Sequence, residues 1–325
     1  MRKAAAVFRI TGAFAIVLTT LYASAQDTAF SIRSVEFWSD GTRLAGDLFV
    51  PSGLESGEKR AAVLLCHGWG GLKSQLNATT APKLAEAGFV VMTFDYRGWG
   101  ESDARLVVTD AFPEADEDGM VTVRAQAIRE LVDPFDQTED IGNAITFLEG
   151  EPHVDSDRIG LWGTSMGGGH VVWMAAHDAR VKCIFAQAAS MDAASGVRAF
   201  FAGGEAGARE DYRKRVRGEL PPVPQRVHQV PGLRGTPYVA RFLDYVPADH
   251  AHRITVPVMV LDAENEELFD INDHGVRVYE AVKDRVPAEY VLIPDITHYG
   301  VYREAFQECT QHAIDWFKTH LKLPY

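Results

Sequence analysis

Three groups of residues in this chain have the types and spacing that nucleophilic chemistry needs. Gly163-Thr164-Ser165-Met166-Gly167 has the form Gly-x-Ser-x-Gly. Such a stretch sets a serine on a sharp strand-to-helix turn with its hydroxyl projecting. The residues two places either side must be tiny, so that strand and helix can pass closely. The helix that follows turns its positive end towards the site, where acyl transfer develops negative charge. A serine also needs a base, an acid to orient that base, and donors for the oxyanion. Of eleven histidines, His298 alone follows a late apolar run and lies in a short turn, Asp295 to Gly300. His312 and His320 fall on a terminal helical stretch, and His250 and His252 in a link, where they read as surface or packing residues. The acid belongs after the apolar run Val258 to Leu261. Five carboxylates stand there (Asp262, Glu264, Glu266, Glu267 and Asp270), and residue type does not separate them. The oxyanion donors are the backbone N–H of Met166 and, from the loop after an earlier strand, that of Trp69. His67, in the same loop, either holds it by hydrogen bonds, the reading preferred here, or touches the substrate.

These residues need a frame. Ala61 to Cys66, Phe89 to Phe94, Ile159 to Trp162, Val181 to Ala186, Val258 to Leu261 and Tyr290 to Ile293 are continuous apolar runs, as strands buried on both faces require. Between them lie helical patterns: Ala81 to Ala87, a helix begun by Asp133-Pro134, one after Ser165 reaching about Asp178, Asp273 to Asp284, and Tyr302 to Leu321. Ser31 to Trp38 and Thr42 to Val50 form a hairpin about Asp40-Gly41. The alternation predicts an α/β fold with a mostly parallel sheet covered by helices on both faces. Its ligand site lies beyond the carboxyl ends of the strands, where the glycine turns after Cys66, Phe94 and Trp162 fall. Residues 103–132 show no clear period, and Glu114 to Gly119 reads as a solvated acidic loop. From about Asp192 to Asp249 the buried runs stop, and nine Lys/Arg face seven Asp/Glu. This insertion is expected to form a lid over the site, within the single domain 26–325. Most of its aromatics (Phe200, Phe201, Tyr212, Tyr238, Phe242, Tyr245) are expected to pack the lid onto the body.

A formal charge of −13 over 325 residues argues against nucleic-acid binding, which needs a basic footprint. Arg2, Lys3 and Arg9, an apolar run from Ile10 to Leu21 and the small-x-small triplet Ala23-Ser24-Ala25 read as a signal peptide over 1–25, cleaved before Gln26. The apolar run is shorter than the ~20 residues a spanning helix needs. The expected location is therefore periplasmic or secreted, without stable membrane insertion once the signal is cleaved. Three cysteines, Cys66, Cys183 and Cys309, supply no disulfide framework, and Cys66 and Cys183 read as buried small hydrophobes.

His67-Gly68-Trp69-Gly70-Gly71, Asp95-Tyr96-Arg97-Gly98-Trp99-Gly100-Glu101-Ser102, the serine turn and His298 together resemble the α/β-hydrolase superfamily. Within it the chain is similar to the dienelactone-hydrolase-like and Xaa-Pro-peptidase-like serine hydrolases, over most of residues 31–321. The resemblance implies an α/β-hydrolase fold and a Ser-His-acid triad, with no metal and no organic cofactor. It places the acid of a His-Gly-x-x-Asp segment at Glu266, where the family more often has Asp; Glu264 and Asp270 are the other candidates. The function expected is an exported hydrolase of small-molecule carboxylic esters. An Xaa-Pro or acylaminoacyl peptidase acting on short peptides is the alternative, with Glu205, Glu210 or Asp211 available to capture a peptide terminus. A non-catalytic binding protein on the same fold is the third reading.

Overall fold

The computed structural model describes residues 28–201, 203–225 and 233–322. The expected signal peptide, and residues 202 and 226–232 of the expected lid, lie outside the described residues. Eight strands form one sheet: Phe30–Ser39 (β1), Thr42–Pro51 (β2), Arg60–Cys66 (β3), Val90–Phe94 (β4), Val154–Thr164 (β5), Val181–Gln187 (β6), Val258–Ala263 (β7) and Ala288–Ile293 (β8). Their spatial order is β1-β2-β4-β3-β5-β6-β7-β8. β2 runs antiparallel to β1 and to β4, and every other neighbouring pair is parallel.

Side-chain alternation shows why both faces are covered. Ala62, Leu64 and Cys66 of β3 join a core that includes Ile141, Ile145 and Leu148 of the helix Pro134–Glu149 and Val171 and Val172 of the helix Met166–His177. Ala61, Val63 and Leu65 face the other way, onto Leu84 of Thr80–Glu86 and Trp316 and Phe317 of Phe306–His320. Asp133 caps the helix Pro134–Glu149, its carboxylate accepting from the N–H of Phe135 at 3.0 Å. The Asp40-Gly41 turn has positive φ at both residues, 44° and 71°, as a tight hairpin turn demands.

Three differences from the expected elements stand out. β5 starts at Val154 rather than Ile159, because Val154 pairs with Arg60 across a register shift in β3. The closing helix begins at Phe306, and His298–Tyr302 form a separate 3-10 turn. Within 103–132 the chain makes a hairpin, Arg105–Val108 against Ala125–Ile128, held through Val107 and Ile128 to Leu131, Val223 and Tyr238. Between β6 and β7 the described residues include four helices, Ala193–Phe200, Gly204–Val216, Val239–Phe242 and Pro247–His250. Thr236–Pro237 adds a short strand beside Leu131–Val132.

Candidate active site

Ser165 sits between β5 and the helix Met166–His177 with φ 55° and ψ −122°, a conformation that costs energy for a residue with a Cβ. The surroundings hold it there. Its N–H donates to the Gln187 carbonyl at 2.9 Å, and its carbonyl accepts from the N–H groups of Gly168 and Ser190, both at 3.0 Å. A Cβ on Gly167 would lie 2.1 Å from the Cys66 carbonyl oxygen, so only glycine lets the helix pass the end of β3. Ser165 is partly exposed, whereas Gly163, Thr164, Met166 and Gly167 are buried.

The loop after β3 crosses beside the serine. A Cβ on Gly68 would stand 2.9 Å from Ser165 Cβ and 3.5 Å from its Oγ. Trp69, the next residue, is fixed by its indole N–H donating to the Arg234 carbonyl at 2.9 Å and by its ring against Phe242, 5.5 Å between centroids. Met166 opens its helix, so its N–H has no carbonyl partner within that helix. His67 is buried, and its Nδ1–H donates to the Gly68 carbonyl at 3.0 Å. Burial lowers its pKa from the usual imidazole value. Its Nε2 is buried and has no hydrogen-bond partner among the described residues.

His298 and Glu266 meet. The Nδ1–H of His298 donates to Glu266 Oε2 at 2.7 Å, and each side chain is 2% exposed. The His298 backbone N–H donates to Glu267 Oε2, also at 2.7 Å. The other carboxylates of the loop are engaged elsewhere. Glu264 accepts from the Asp295 N–H, and exposed Asp270 accepts from Asn272. Asp262 is wholly buried and accepts from the Tyr290 hydroxyl at 3.1 Å. Burial, and secondarily the nearby Glu266 charge, push its carboxyl up to about 7.

One contact that residue types gave no sign of ties the serine side to the histidine side. Tyr302 Oη and Thr164 Oγ1 are 2.7 Å apart, and Gln187 Nε2 donates to the same Thr164 oxygen at 3.2 Å. Thr164 precedes Ser165, and Tyr302 ends the turn that begins at His298. The motif Asp95 to Ser102 turns out to be a structural staple. The Asp95 carboxylate accepts from the N–H groups of Lys73 and Glu101, and Ser102 Oγ donates to the Asp95 carbonyl. Buried Arg97 pairs with buried Asp140 and with Glu139.

Among the remaining histidines, His250 packs on Trp173 and His177, and His320 on Trp316. Of the aromatics in the expected lid, Tyr238, Phe242 and Tyr245 are buried, and Tyr245 packs against Phe135 and Trp173. Tyr212 is exposed and lines a cavity of about 250 Å³ with Arg209 and Arg241. All three cysteines are buried free thiols. Among the described residues no cluster of His, Cys, Asp or Glu is gathered to hold a metal ion, and no helix is long and apolar enough to cross a membrane.

Comparison with known proteins places this geometry. A family described as alpha/beta hydrolase fold matches residues 61–206. The chain is 31% identical over 302 residues to a 31.7 kDa protein of Escherichia coli from the traX-finO intergenic region, spanning 82% of this chain and 93% of that one. The alpha/beta hydrolase GrgF of Penicillium sp. sh18 superposes with a TM-score of 0.66 at 21% identity, over 90% of this chain and all of its own. The esterase Pf2001 of Pyrococcus furiosus gives 0.57 at 14%, over 96% and 98% of the two chains. Sheet order, serine turn and these likenesses agree: the chain belongs to the α/β-hydrolase family.

Proposed function

We propose that this protein is a hydrolase and cleaves carboxylic esters of small molecules through Ser165, His298 and Glu266, as an exported enzyme of the dienelactone-hydrolase-like group. The observation that carries the reading is the buried His298–Glu266 hydrogen bond, in a fold that also holds Ser165 in a strained turn. Ser165 Oγ attacks the ester carbonyl carbon while His298 Nε2 takes the hydroxyl proton. The oxyanion receives the N–H groups of Trp69 and Met166. The carbon–oxygen bond to the alcohol then breaks, and His298 returns the proton to the departing oxygen. Water attacks the acyl-serine, again giving its proton to His298, and the acid leaves as Ser165 is restored. Glu266 stays ionised, holding the imidazole in place and stabilising its cationic form.

Two observations favour an ester over a peptide bond. Pf2001, a structural neighbour, is an esterase. The carboxylates available to capture a peptide terminus are already occupied: Glu205 by Arg209, Glu210 by Arg213 and Asp211 by Arg215, all along one helix. A chromogenic acetate ester tests the proposal. Ser165→Ala should lower its turnover by roughly 10⁴-fold or more; turnover retained at the wild-type rate would sink it. For export, N-terminal sequencing of protein recovered from the expressing cell's periplasm or medium should begin at Gln26. A chain beginning at Met1 would remove that part.

A further inference from the structure

The base His298 is ringed by aromatic side chains from two segments. Its imidazole lies 5.3 Å from the ring of Tyr299, 5.8 Å from Phe269 and 6.2 Å from Tyr302, centroid to centroid, all within one contact layer. Two of these rings are anchored by their own partners. Phe269 stacks on His274 at 4.3 Å, and His274 Nδ1 in turn accepts the Met191 N–H at 2.8 Å. The Tyr302 hydroxyl is tied to Thr164. The imidazole is sealed, but the surface beside it is not: Tyr299 is 41% exposed, Tyr302 39% and the neighbouring Leu268 40%. Two of the rings that flank the proposed base therefore keep exposed apolar surface, and so does Leu268, next to Phe269 in the chain.

The charge around it is mostly negative. Segments 262–270 and 295–304 together carry seven carboxylates (Asp262, Glu264, Glu266, Glu267, Asp270, Asp295, Glu304) and a single arginine, Arg303. Glu267 lies at the histidine turn through its bond to the His298 N–H. An anionic group brought here would meet repulsion, and an uncharged ring would not.

We propose that Leu268, Phe269, Tyr299 and Tyr302 form the subsite for the departing alcohol, and that it selects an uncharged aromatic alcohol. This rests on the serine-esterase reading above and deepens it. A base that returns its proton to the alcohol oxygen must stand within hydrogen-bond reach of it, so the carbon skeleton of the alcohol lies against whatever flanks the base. An aromatic alcohol covers the exposed flanks of Tyr299, Tyr302 and Leu268, whereas a short alkyl alcohol leaves them in water. The alcohol is present only until the acyl-enzyme forms, so the preference appears in kcat/KM, which reports events through acylation.

The test compares ethyl, benzyl and 4-carboxybenzyl acetates, which share one acyl group. Ethyl and benzyl alcohols leave with similar intrinsic ease. Wild-type protein should show a benzyl-to-ethyl ratio of kcat/KM of roughly tenfold or more, with 4-carboxybenzyl acetate losing most of that advantage. Tyr299→Ser and Leu268→Ser, both at partly exposed positions, should each cut the ratio severalfold. A ratio within one preparation is unaffected by the fraction of folded protein. Hydrolysis with a ratio near one, a ratio unchanged in both variants, or a preference for the carboxylated ring would overturn this proposal alone. Failure to hydrolyse any of the three esters would overturn the serine-esterase reading and this proposal with it.

Discussion

Glu266 decides which nitrogen of His298 carries the proton. Its carboxylate only accepts, so Nδ1 must donate, and Nε2 is left with the lone pair that a base needs. An amide at this position has donors as well and admits the opposite tautomer. Glu266→Gln is therefore expected to lower kcat/KM on esters by roughly 10³-fold or more while the protein remains folded. Steady-state kinetics beside a thermal melt would check this, and near-normal turnover in the folded variant would contradict it. At this scale the proposed nucleophile Ser165 and the proposed base His298 have local signals, glycines two places either side of a serine and a histidine in a turn after a late strand. The acid is not readable by type, since Asp262, Glu264, Glu266, Glu267 and Asp270 stand within nine residues. What separates them is burial and direction: Asp262 is sealed under Tyr290 and Asp270 is exposed on Asn272. The Thr164–Tyr302 contact spans 138 residues, and no local pattern announces it.

Among the elements, the turn after β4 shows a motif whose role is mechanical. Arg97 is buried against Asp140, and burial holds the Asp140 carboxyl up at about 6 despite its partner. Removing the arginine leaves an uncompensated buried acid. Arg97→Met is expected to cost about 3–5 kcal/mol, read as a lower urea midpoint; an unchanged midpoint would show that the pair contributes nothing. The strands and most helices are legible, because continuous apolar runs bounded by glycine turns have few other uses. The hairpin of residues 105–108 and 125–128 is not. Its strands are short and mostly exposed, and Val107 and Ile128 pack inward, onto Leu131 and onto Val223 and Tyr238, which are distant in sequence. Tyr302 fits the period of the closing helix, yet the chain breaks at Arg303 with φ −126° and ψ −102°, leaving Tyr302 free to reach Thr164.

For the whole molecule, buried carboxyls make stability depend on pH. The Asp262 carboxyl stands at about 7 in the folded protein against an ordinary 3.8. Below 3.8 both states hold the proton and the group is neutral in its effect. Between 3.8 and about 7 the unfolded chain releases the proton first, so stability falls as pH rises, by up to about 1.4 kcal/mol per unit. Above 7 the full penalty remains. Asp262→Asn, which stays uncharged in both states, should therefore melt roughly 2 °C or more above wild type at pH 8 and level with it near pH 3.5. An equal difference at both pH values would show that ionisation is not the cause. The acidic balance is plain from composition; which acids are forced into the interior is visible only in the fold.

Intact-mass spectrometry of the folded protein with a fluorophosphonate probe tests the central claim most directly. An activated serine should take one adduct, mapped to the peptide containing Ser165 and absent from Ser165→Ala. No adduct on folded wild-type protein, or an adduct on a different residue, would contradict Ser165 as the nucleophile.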